Sequence, residues 1–591
     1  MQSADTERLI ETIRNATIGD DQAIAGPFGS RRVTYADYTA SGRSLSFIED
    51  FIRDHVLPLY ANTHTETSGT GLQTTRFRED ARRIIKEAVG GDERDVVIFT
   101  GSGATGAINK LIDILNLRIP HDLDRRYGLS QHIPESERPV VFIGPYEHHS
   151  NELPWRESIA DVVVIAEDAD GRIDVEMLEQ QLVAHAHRPM KIGSFSAASN
   201  VTGIGTNTRE VASLMHRCGG LMFWDFAAAG PYVEIEMNMA DEAPDGHLVY
   251  KDAIFLSPHK FIGGPGTPGI LVVKRALLRN SVPSTPGGGT VSYVSAESHT
   301  YIDDPEHREE GGTPAIVESV RAGLVFQLKE AVGAEAIRER EHSFIRRAID
   351  RWGTNPHIQV LGNHDAWRLS IVSFMVRHGD RYLHHNFVVA VLNDLLGIQA
   401  RGGCSCAGPY GHRLLGIDLT TSEEFAREIH RGCEGIKPGW VRVNFNYFIS
   451  ETTFEFLLEA IDLVAREGWR LLPQYRFCPK TGQWRHRAGR PEPVMCLDDV
   501  DYTEGRMGFR SRHATEPTSA LRSHLEEARR ILAEADPRET SRPDLTADFE
   551  HLRWFPLPDE ASAELRGDTV RSPVPMTLHV HDDGHAEPGT N

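Results

Sequence analysis

Seven short apolar runs between residues 95 and 275 constrain the fold of this chain more than any other feature of its sequence. They cover residues 96–99, 140–143, 162–165, 192–195, 221–224, 253–256 and 270–273. Runs of this length suit strands that are buried on both faces of a mostly parallel sheet. Helical patterns alternate with them, over residues 104–117, 174–184 and 208–218. The alternation predicts an α/β domain with a mostly parallel, seven-stranded, doubly wound sheet, whose ligands bind at the carboxyl ends of the strands.

The whole chain is predicted to have four parts. A short helical pattern within residues 1–30 is expected to pack on the small domain, and residues 31–299 form the large α/β domain. Residues 300–472 contain two long helical patterns followed by strands and helices, which predicts a smaller α+β domain. From residue 473 to residue 591 the pattern weakens, which indicates a C-terminal extension with one amphipathic helix over residues 519–533. Its composition predicts partial disorder, above all in about the last 30 residues.

The charge and the cysteine content of the chain limit its partners and its location. Its 591 residues carry a formal net charge of −22, which argues against nucleic acid or an anionic membrane surface as a partner. No apolar run approaches the roughly 20 residues of a membrane helix. The N-terminal residues lack the pattern of a signal peptide, and six cysteines in so long a chain form no disulfide framework. We therefore expect a cytoplasmic protein.

Lys260 stands where a lysine is unusual, between two apolar runs, in the sequence Ser257-Pro258-His259-Lys260. A surface lysine in a hairpin loop is one interpretation. The other is a lysine that forms a Schiff base with pyridoxal phosphate, which requires a carboxylate, a phosphate cradle and a ring-stacking group elsewhere in the chain. Asp225 directly follows an apolar run, where a carboxylate needs a cationic partner. A structural aspartate that caps the next helix is the alternative for this residue.

A glycine-rich turn follows the first apolar run and opens a helix. Gly101, Gly103 and Gly106 form a G-x-G-x-x-G pattern, which also occurs in dinucleotide-binding folds. A polar loop follows this helix, in place of the second strand and acidic residue that a dinucleotide site requires. The pattern favours a monophosphate held by backbone N–H groups and the Thr105 hydroxyl, with a plain strand–helix turn as the alternative. His148, after the next run, is either a ring-stacking group or a structural histidine.

In their order along the chain, these motifs resemble the class V, or fold type I, family of pyridoxal-phosphate-dependent aminotransferases. The resemblance is greatest to the branch of cysteine desulfurases and selenocysteine lyases, and it covers residues 33–472. The residues that carry it are Gly103-Ala104-Thr105, Glu147-His148-His149, Asn200, Asp225 and Ser257-Pro258-His259-Lys260. The resemblance implies the fold type I architecture, the cofactor pyridoxal 5'-phosphate and a homodimer with its active site at the subunit interface.

The resemblance implies a role in cofactor binding for each matched residue. Lys260 would form the Schiff base and later shuttle the α-proton of the substrate. Asp225 would pair with the pyridine nitrogen, and His148 would stack on the ring. In the loop 311–314, Thr313 would reach the phosphate of the partner subunit. The phosphate and the ring hydroxyl would be held by Ala104, Thr105, Ser257, His259 and Asn200.

A second group of matched residues is implied to bind the substrate. Arg442 would clamp its α-carboxylate, with Asn200 and Arg401 nearby. Cys406 falls on the position of the desulfurase nucleophile, a thiolate that attacks the substrate sulfur and keeps it as a persulfide. Cys404 could resolve or relay that sulfur. A Cys-x-Cys pair without a second pair of ligands is weak evidence for zinc, so we expect no metal site.

The resemblance thus implies an enzyme that removes sulfur or selenium from a cysteine-like amino acid through an external aldimine and a Cys406 persulfide. A sulfur-acceptor protein would be its partner. Ala228 departs from the family, in which a glutamine usually stands three residues after the aspartate. This departure leaves a class V aminotransferase, an epimerase or another C–S lyase as alternatives. Two further hypotheses are a catalytically idle scaffold that binds a partner through its C-terminal extension, and a nicotinamide dehydrogenase that rests on the glycine motif.

Overall fold

The computed structural model describes residues 2–63, 65–239, 245–489, 493–510, 513–568, 578 and 580. The chain divides into two compact units. Unit 1 comprises Met1–Thr17, Tyr38–His342 and Asp365–Leu369. Unit 2 comprises Ile18–Asp37, Ser343–His364 and Ser370–Asn591. The predicted disorder of the C-terminal end concerns positions that lie largely outside the described residues.

A seven-stranded sheet forms the centre of unit 1 and confirms the predicted fold class. Its strands are β1 (Asp95–Thr100), β2 (Val140–Ile143), β3 (Asp161–Val164), β4 (Lys191–Ser196), β5 (Leu221–Asp225), β6 (Ala253–Leu256) and β7 (Gly269–Lys274). Their order across the sheet is β1-β7-β6-β5-β4-β2-β3. Strands β2 to β6 pair in parallel, whereas β7 is antiparallel to both of its neighbours. The carboxyl ends of β4, β5 and β6 therefore meet at one edge of the sheet.

The apolar runs form the sheet because helices cover them and exclude water. Strands β2 and β6 are buried along their whole length, while the edge strand β3 is half-buried. The helix Gly103–Ile114 packs on the sheet through Ile108, Leu111 and Ile112, and each such buried side chain contributes about 1.5–3 kcal/mol.

Among the described residues, no helix is both long enough and apolar enough to span a membrane. The helices of unit 1 are Gln2–Ala16, Ser46–Phe51, Gly69–Ala88, Gly103–Ile114, His121–Tyr127, Leu153–Arg156, Val175–Ala184, Thr208–Arg217, Pro305–Arg308 and Ile316–Val332.

Unit 2 is built around a smaller antiparallel sheet. Its strands lie in the order Ile358–Val360, Ile371–His378, Trp440–Asn444 and Arg401–Gly403, and Arg381–Tyr382 pairs with the second of them. This mixture of helices and antiparallel strands is the predicted α+β architecture. The helix Ala334–Trp352 runs from unit 1 into unit 2. The other helices of unit 2 are His385–Leu396, Gly408–Leu414, Leu419–His430, Glu451–Glu467, Ala520–Ala533, Ala547–Leu552 and Pro558–Leu565.

The described part of the C-terminal extension belongs to unit 2. The strand Gln22–Gly26 pairs with Ala514–Thr515, and the helix Ala520–Ala533 turns a buried apolar face toward this unit. Residues 18–37 lie in unit 2 for this reason, whereas the N-terminal helix Gln2–Ala16 lies in unit 1. The division after residues 30, 299 and 472 into an N-terminal segment, a large domain, a small domain and an extension stays a prediction.

A buried ion cluster ties the extension into unit 2. The Arg553 guanidinium is 1 % exposed, and its Nη1 and Nη2 donate to Glu560 at 2.9 and 2.7 Å. Arg381 Nη1 donates to the same carboxylate at 3.0 Å. Burial by itself would raise the pKa of Glu560, but the hydrogen bonds and charges of the two arginines bring it below its ordinary value. The carboxylate is therefore ionised and holds two buried cations.

Glu560→Gln is expected to lower the free energy of unfolding of unit 2 by about 3 kcal/mol or more, because Arg381 and Arg553 lose the buried carboxylate that they share and Arg553 keeps the partly exposed Glu550 as its carboxylate partner. Urea denaturation followed by tryptophan fluorescence measures the change. Glu526→Gln is the matched control, since Glu526 makes an exposed pair with Arg522 and should lose less than about 0.5 kcal/mol. Equal effects of the two substitutions would contradict a structural role for the buried cluster.

Candidate active site

The glycine-rich turn after β1 is held against the turn after β6. The Ala104 N–H donates to Ser257 Oγ at 2.8 Å, and the Gly269 N–H donates to the Gly101 carbonyl at 2.7 Å. Gly103 has φ +55°, and a Cβ at this position would lie 2.8 Å from Ser257 Oγ. A larger residue would therefore be both strained and in collision. The close approach places the start of the helix Gly103–Ile114 beside Ser257.

Ser150 connects the helix N-terminus with His148. Its hydroxyl lies 2.6 Å from Thr105 Oγ1 and 3.0 Å from His148 Nδ1, and its N–H donates to the same Nδ1 at 3.1 Å. Because Nδ1 accepts from this N–H, the proton of a neutral His148 ring lies on Nε2. The imidazole is half-buried and fixed in orientation, as a ring-stacking group must be.

Glu147, next to His148, is a buried carboxylate that four donors surround. It accepts from the Gly144 N–H at 3.2 Å and from the Asn151 side chain at 2.6 Å. Ser196 donates through its N–H at 2.9 Å and through its hydroxyl at 2.7 Å. These bonds tie the loop that carries His148 to the end of β4. Burial nevertheless raises the pKa of Glu147 to about 7, since desolvation and the charge of Asp225 outweigh the hydrogen bonds from Ser196 and Asn151.

Asp225 ends β5 and is 5 % exposed. Its Oδ1 accepts from the Ala227 N–H at 2.8 Å, and no second donor among the described residues reaches the carboxylate. Burial raises the pKa of Asp225, while the N–H of Ala227 and the charge of Lys260 oppose the rise. The electrostatic effect of Lys260 indicates that the two side chains are close. A carboxylate so placed favours a cationic ligand group beside it.

Lys260 ends a short 3-10 turn, Pro258–Lys260, directly after β6. Gly42 packs on this turn: its N–H donates to the His259 carbonyl at 2.8 Å, and a Cβ on it would lie 3.2 Å from the Lys260 carbonyl. Burial and the charge of Lys260 lower the pKa of His259 to about 4. The imidazole of His259 is therefore neutral at pH 7 and keeps one N–H to donate.

These groups fit pyridoxal phosphate, the cofactor that the sequence predicts. The N-terminus of the twelve-residue helix Gly103–Ile114 can donate to a phosphate. The hydroxyls of Thr105 and Ser257 and the neutral His259 are further donors for it. The buried Asp225 suits a protonated ring nitrogen, and the half-buried Lys260 suits a Schiff base. Asn200 is also buried in unit 1, in the turn after β4, whereas Thr313 lies exposed in a loop.

Unit 2 brings Arg442 and Arg401, two of the three predicted substrate-binding residues, together around Asp37, whereas the third, Asn200, lies in unit 1. Arg442 is 2 % exposed, and its Nη2 donates to Asp37 Oδ1 at 3.0 Å. Arg401 Nε lies 3.4 Å from Asp37 Oδ2, and Arg401 is paired with Arg442 across two antiparallel strands. Burial lowers the pKa of Arg442, and Asp37 opposes this effect. Two guanidinium groups and one carboxylate leave one positive charge in excess, which suits a single anionic group of a ligand.

Cys406 lies in a strained loop after this strand pair. Ser405 and Cys406 have φ values of +53° and +58°, a region that non-glycine residues rarely adopt and that costs on the order of 1 kcal/mol or more for each. Cys404 and Cys406 are both exposed, whereas Ser405 is buried. Backbone strain of this kind clusters at functional sites. The thiol of Cys406 is thus accessible and held in one defined turn.

Sequence reasoning missed several residues of these clusters. Asp37 belongs to none of the motifs found in the sequence, and Glu147 enters only as the neighbour of His148 and His149. The signal for Glu147 was the one used for Asp225, since both carboxylates closely follow a buried strand. Ser150 and Gly42 gave no such signal, because their roles come from contacts with residues distant in the chain.

Glu147→Gln is expected to change how stability depends on pH. Glu147 has a folded-state pKa of about 7 against an ordinary value of 4.5, so between these values the folded protein holds a proton that the unfolded chain has released. The wild type should therefore lose about 3 kcal/mol relative to the variant as pH rises through this window. Urea denaturation of the holoenzymes across the pH range measures it. The exposed Glu179→Gln serves as the control, and curves of wild type and Glu147→Gln that stay parallel would contradict the assignment.

Comparisons with known proteins identify the family of the chain. Residues 34–427 match the family described as Aminotransferase class-V. A probable cysteine desulfurase of Halalkalibacterium halodurans is 27% identical over 381 residues, which cover 64% of this chain and 84% of that protein. A probable cysteine desulfurase of Streptomyces coelicolor is 26% identical over 404 residues, which cover 67% of this chain and 88% of that protein.

Solved structures show the same fold. The apo cysteine desulfurase of Thermococcus onnurineus gives a TM-score of 0.58 at 22% identity and covers 73% of this chain and 95% of its own. A cysteine desulfurase of Escherichia coli in its S-sulfonic acid form gives 0.56 at 20% identity, with 73% and 94% covered. With the family match over two thirds of its length and a site that fits the family's cofactor, the chain belongs to the class V aminotransferases and is a pyridoxal-phosphate-dependent enzyme.

Proposed function

We propose that the protein is a cysteine desulfurase-like enzyme that removes sulfur, or selenium, from a cysteine-like amino acid. The observation that carries the proposal is the loop that begins at Arg401. Its strand pairs with that of Arg442, and five residues later it presents the exposed Cys406 in a strained turn. A carboxylate-binding arginine pair and an accessible thiol in one unit are what such a reaction requires. Several curated relatives described as probable cysteine desulfurases support the same conclusion.

Unit 1 supplies the groups that hold the cofactor and move protons. The helix N-terminus, Thr105, Ser257 and neutral His259 would bind the phosphate, and Asp225 would pair with the ring nitrogen. Pyridoxal phosphate, when bound, withdraws electrons from the amino acid and so weakens the bonds at its α-carbon. Lys260 Nζ would accept the α-proton and return a proton to the product. His148, fixed through Ser150, would lie against the ring.

Unit 2 supplies the groups that hold the substrate and take its sulfur. The guanidinium of Arg442 would bind the α-carboxylate, with the excess positive charge of the arginine pair as the attraction. Cys406 Sγ, as a thiolate, would attack the sulfur of the substrate. The new S–S bond forms as the substrate C–S bond breaks, and the electron pair of that bond stays on the carbon, which is protonated. The products are alanine and a persulfide on Cys406.

The proposal includes a homodimer in a reducing cytoplasm. Thr313 supports the dimer, because it is exposed on a loop that matches the family segment reaching the partner's phosphate. All six cysteines are free, as expected in a compartment that keeps thiols reduced. An acceptor protein would take the sulfur from Cys406.

A second candidate function is that of a class V aminotransferase, an epimerase or another C–S lyase. Ala228 favours it, because this buried methyl group stands where cysteine desulfurases usually carry a glutamine, three residues after Asp225. Without that amide, the hydrogen bonds around the cofactor ring differ from those of the desulfurases. Transamination would consume an oxo acid, whereas desulfuration yields alanine and sulfide without one.

Cys406→Ala is expected to abolish sulfide release from L-cysteine in the presence of a thiol reductant, because the nucleophile that takes the sulfur is lost. The visible absorbance of the bound cofactor should be unchanged, whereas Lys260→Ala should lose it. Sulfide and alanine assays together with absorbance spectra provide the measurement. Cys496→Ala, an exposed cysteine outside this loop, is the matched control. Full turnover by Cys406→Ala would eliminate the persulfide mechanism.

Arg442→Lys is expected to raise KM for L-cysteine by about 10- to 100-fold, because an ammonium group keeps the charge but not the planar fork that binds a carboxylate. Steady-state kinetics measures the change. Arg427→Lys is the control, since Arg427 is an exposed side chain that pairs with Glu424. A KM of Arg442→Lys within about twofold of the control would place the carboxylate site elsewhere.

A further inference from the structure

Cys404 and Cys406 share a tight β-turn. The Ala407 N–H donates to the Cys404 carbonyl at 3.2 Å, which closes a four-residue turn over residues 404–407. Its two central residues, Ser405 and Cys406, both have positive φ. This is the pattern of a type I′ turn, which favours glycine or asparagine at both positions. The chain therefore holds Ser405 and Cys406 in a backbone conformation that neither residue would prefer by itself.

The turn brings the two cysteines within disulfide range. Consecutive Cα atoms lie 3.8 Å apart, and a turn bends two such steps to a Cα–Cα separation of about 5.5 Å between residues i and i+2. Disulfides span about 4.4–6.8 Å between Cα atoms, so this spacing permits a bond between Cys404 and Cys406. Both residues are exposed, so solvent and small thiols can reach their sulfur atoms.

We propose that Cys404 is a second catalytic cysteine, which discharges the persulfide of Cys406 as free sulfide. This inference rests on the proposed function, which supplies the persulfide. The Cys404 thiolate attacks Sγ of Cys406, and the new Sγ–Sγ bond forms as the bond to the outer sulfur breaks. The outer sulfur takes that electron pair and leaves as hydrosulfide. The two cysteine sulfurs are oxidised to a disulfide, the outer sulfur is reduced, and the Cys404 proton passes to solvent.

A small-molecule or protein dithiol must then reduce the Cys404–Cys406 bond before another turnover. In the presence of a reductant, the loop would thus release sulfide whenever no acceptor protein takes the sulfur from Cys406.

A single-turnover experiment on the holoenzyme tests the role of Cys404. The protein is reduced, freed of reductant under anaerobic conditions and given one equivalent of L-cysteine. In the wild type we expect alanine, about one equivalent of sulfide, and a Cys404–Cys406 peptide that has lost two hydrogens and resists alkylation. Cys404→Ser should form alanine equally, release about tenfold less sulfide and keep one extra sulfur atom on Cys406. Cys496→Ser, which alters an exposed cysteine outside the turn, should behave as the wild type.

A second arm separates this inference from the proposed function. Inorganic polysulfide loads Cys406 with sulfur without any turnover of cysteine, and sulfide release from the washed protein is then followed. If no variant forms alanine from L-cysteine, the proposed function fails, while the polysulfide arm still reports on Cys404. Equal sulfide release by wild type and Cys404→Ser in that arm, or a wild type that keeps its persulfide, overturns the role of Cys404.

Discussion

The burial of Asp225 at the carboxyl end of β5 determines which charged groups can lie beside it. An ionised carboxylate at this depth is stable only near a positive charge, and Lys260, at the end of the neighbouring parallel strand, supplies one in the protein itself. Glu147 is also buried, and the negative charge of Asp225 helps to keep the pKa of Glu147 high. Hydrogen bonds from Ser196 and Asn151 stabilise this second buried carboxylate.

Sheet geometry explains why the groups of unit 1 converge. Parallel strands end at the same edge, so the residues that follow β4, β5 and β6 become neighbours although they are far apart in the chain. The antiparallel strand β7 adds the last element, because its first residue, Gly269, fixes the glycine-rich turn from the other side. The polar network at the carboxyl ends of the strands holds the groups that fit the cofactor in a fixed arrangement. The buried apolar strands stabilise the sheet that carries them.

In unit 2 the candidate site depends on the charges of a partly buried ion cluster and on backbone strain. Asp37 holds two arginines in place, but it neutralises only one of their charges, so the pair keeps its attraction for an anion. The turn at Ser405 and Cys406 is strained, and the adjoining strand pair of Arg401 and Arg442 holds its base. The C-terminal extension is also part of this unit, because Arg553 and Arg381 share the buried carboxylate of Glu560.

The sequence by itself determined the α/β fold, the seven strands and the family. Apolar runs and the motifs at strand ends are local patterns, so they can be recognised without any tertiary contact. It also predicted Lys260, Asp225 and Cys406 as candidates through their place in those motifs. Only the tertiary structure decided which groups support them. Asp37 lies 405 residues from Arg442 in the chain, and Ser150 lies 45 residues from Thr105, so no local pattern joins these pairs. The positive φ values of Ser405 and Cys406 could not be predicted from the sequence either. Neither residue type indicates a left-handed turn, and only the surrounding contacts impose it.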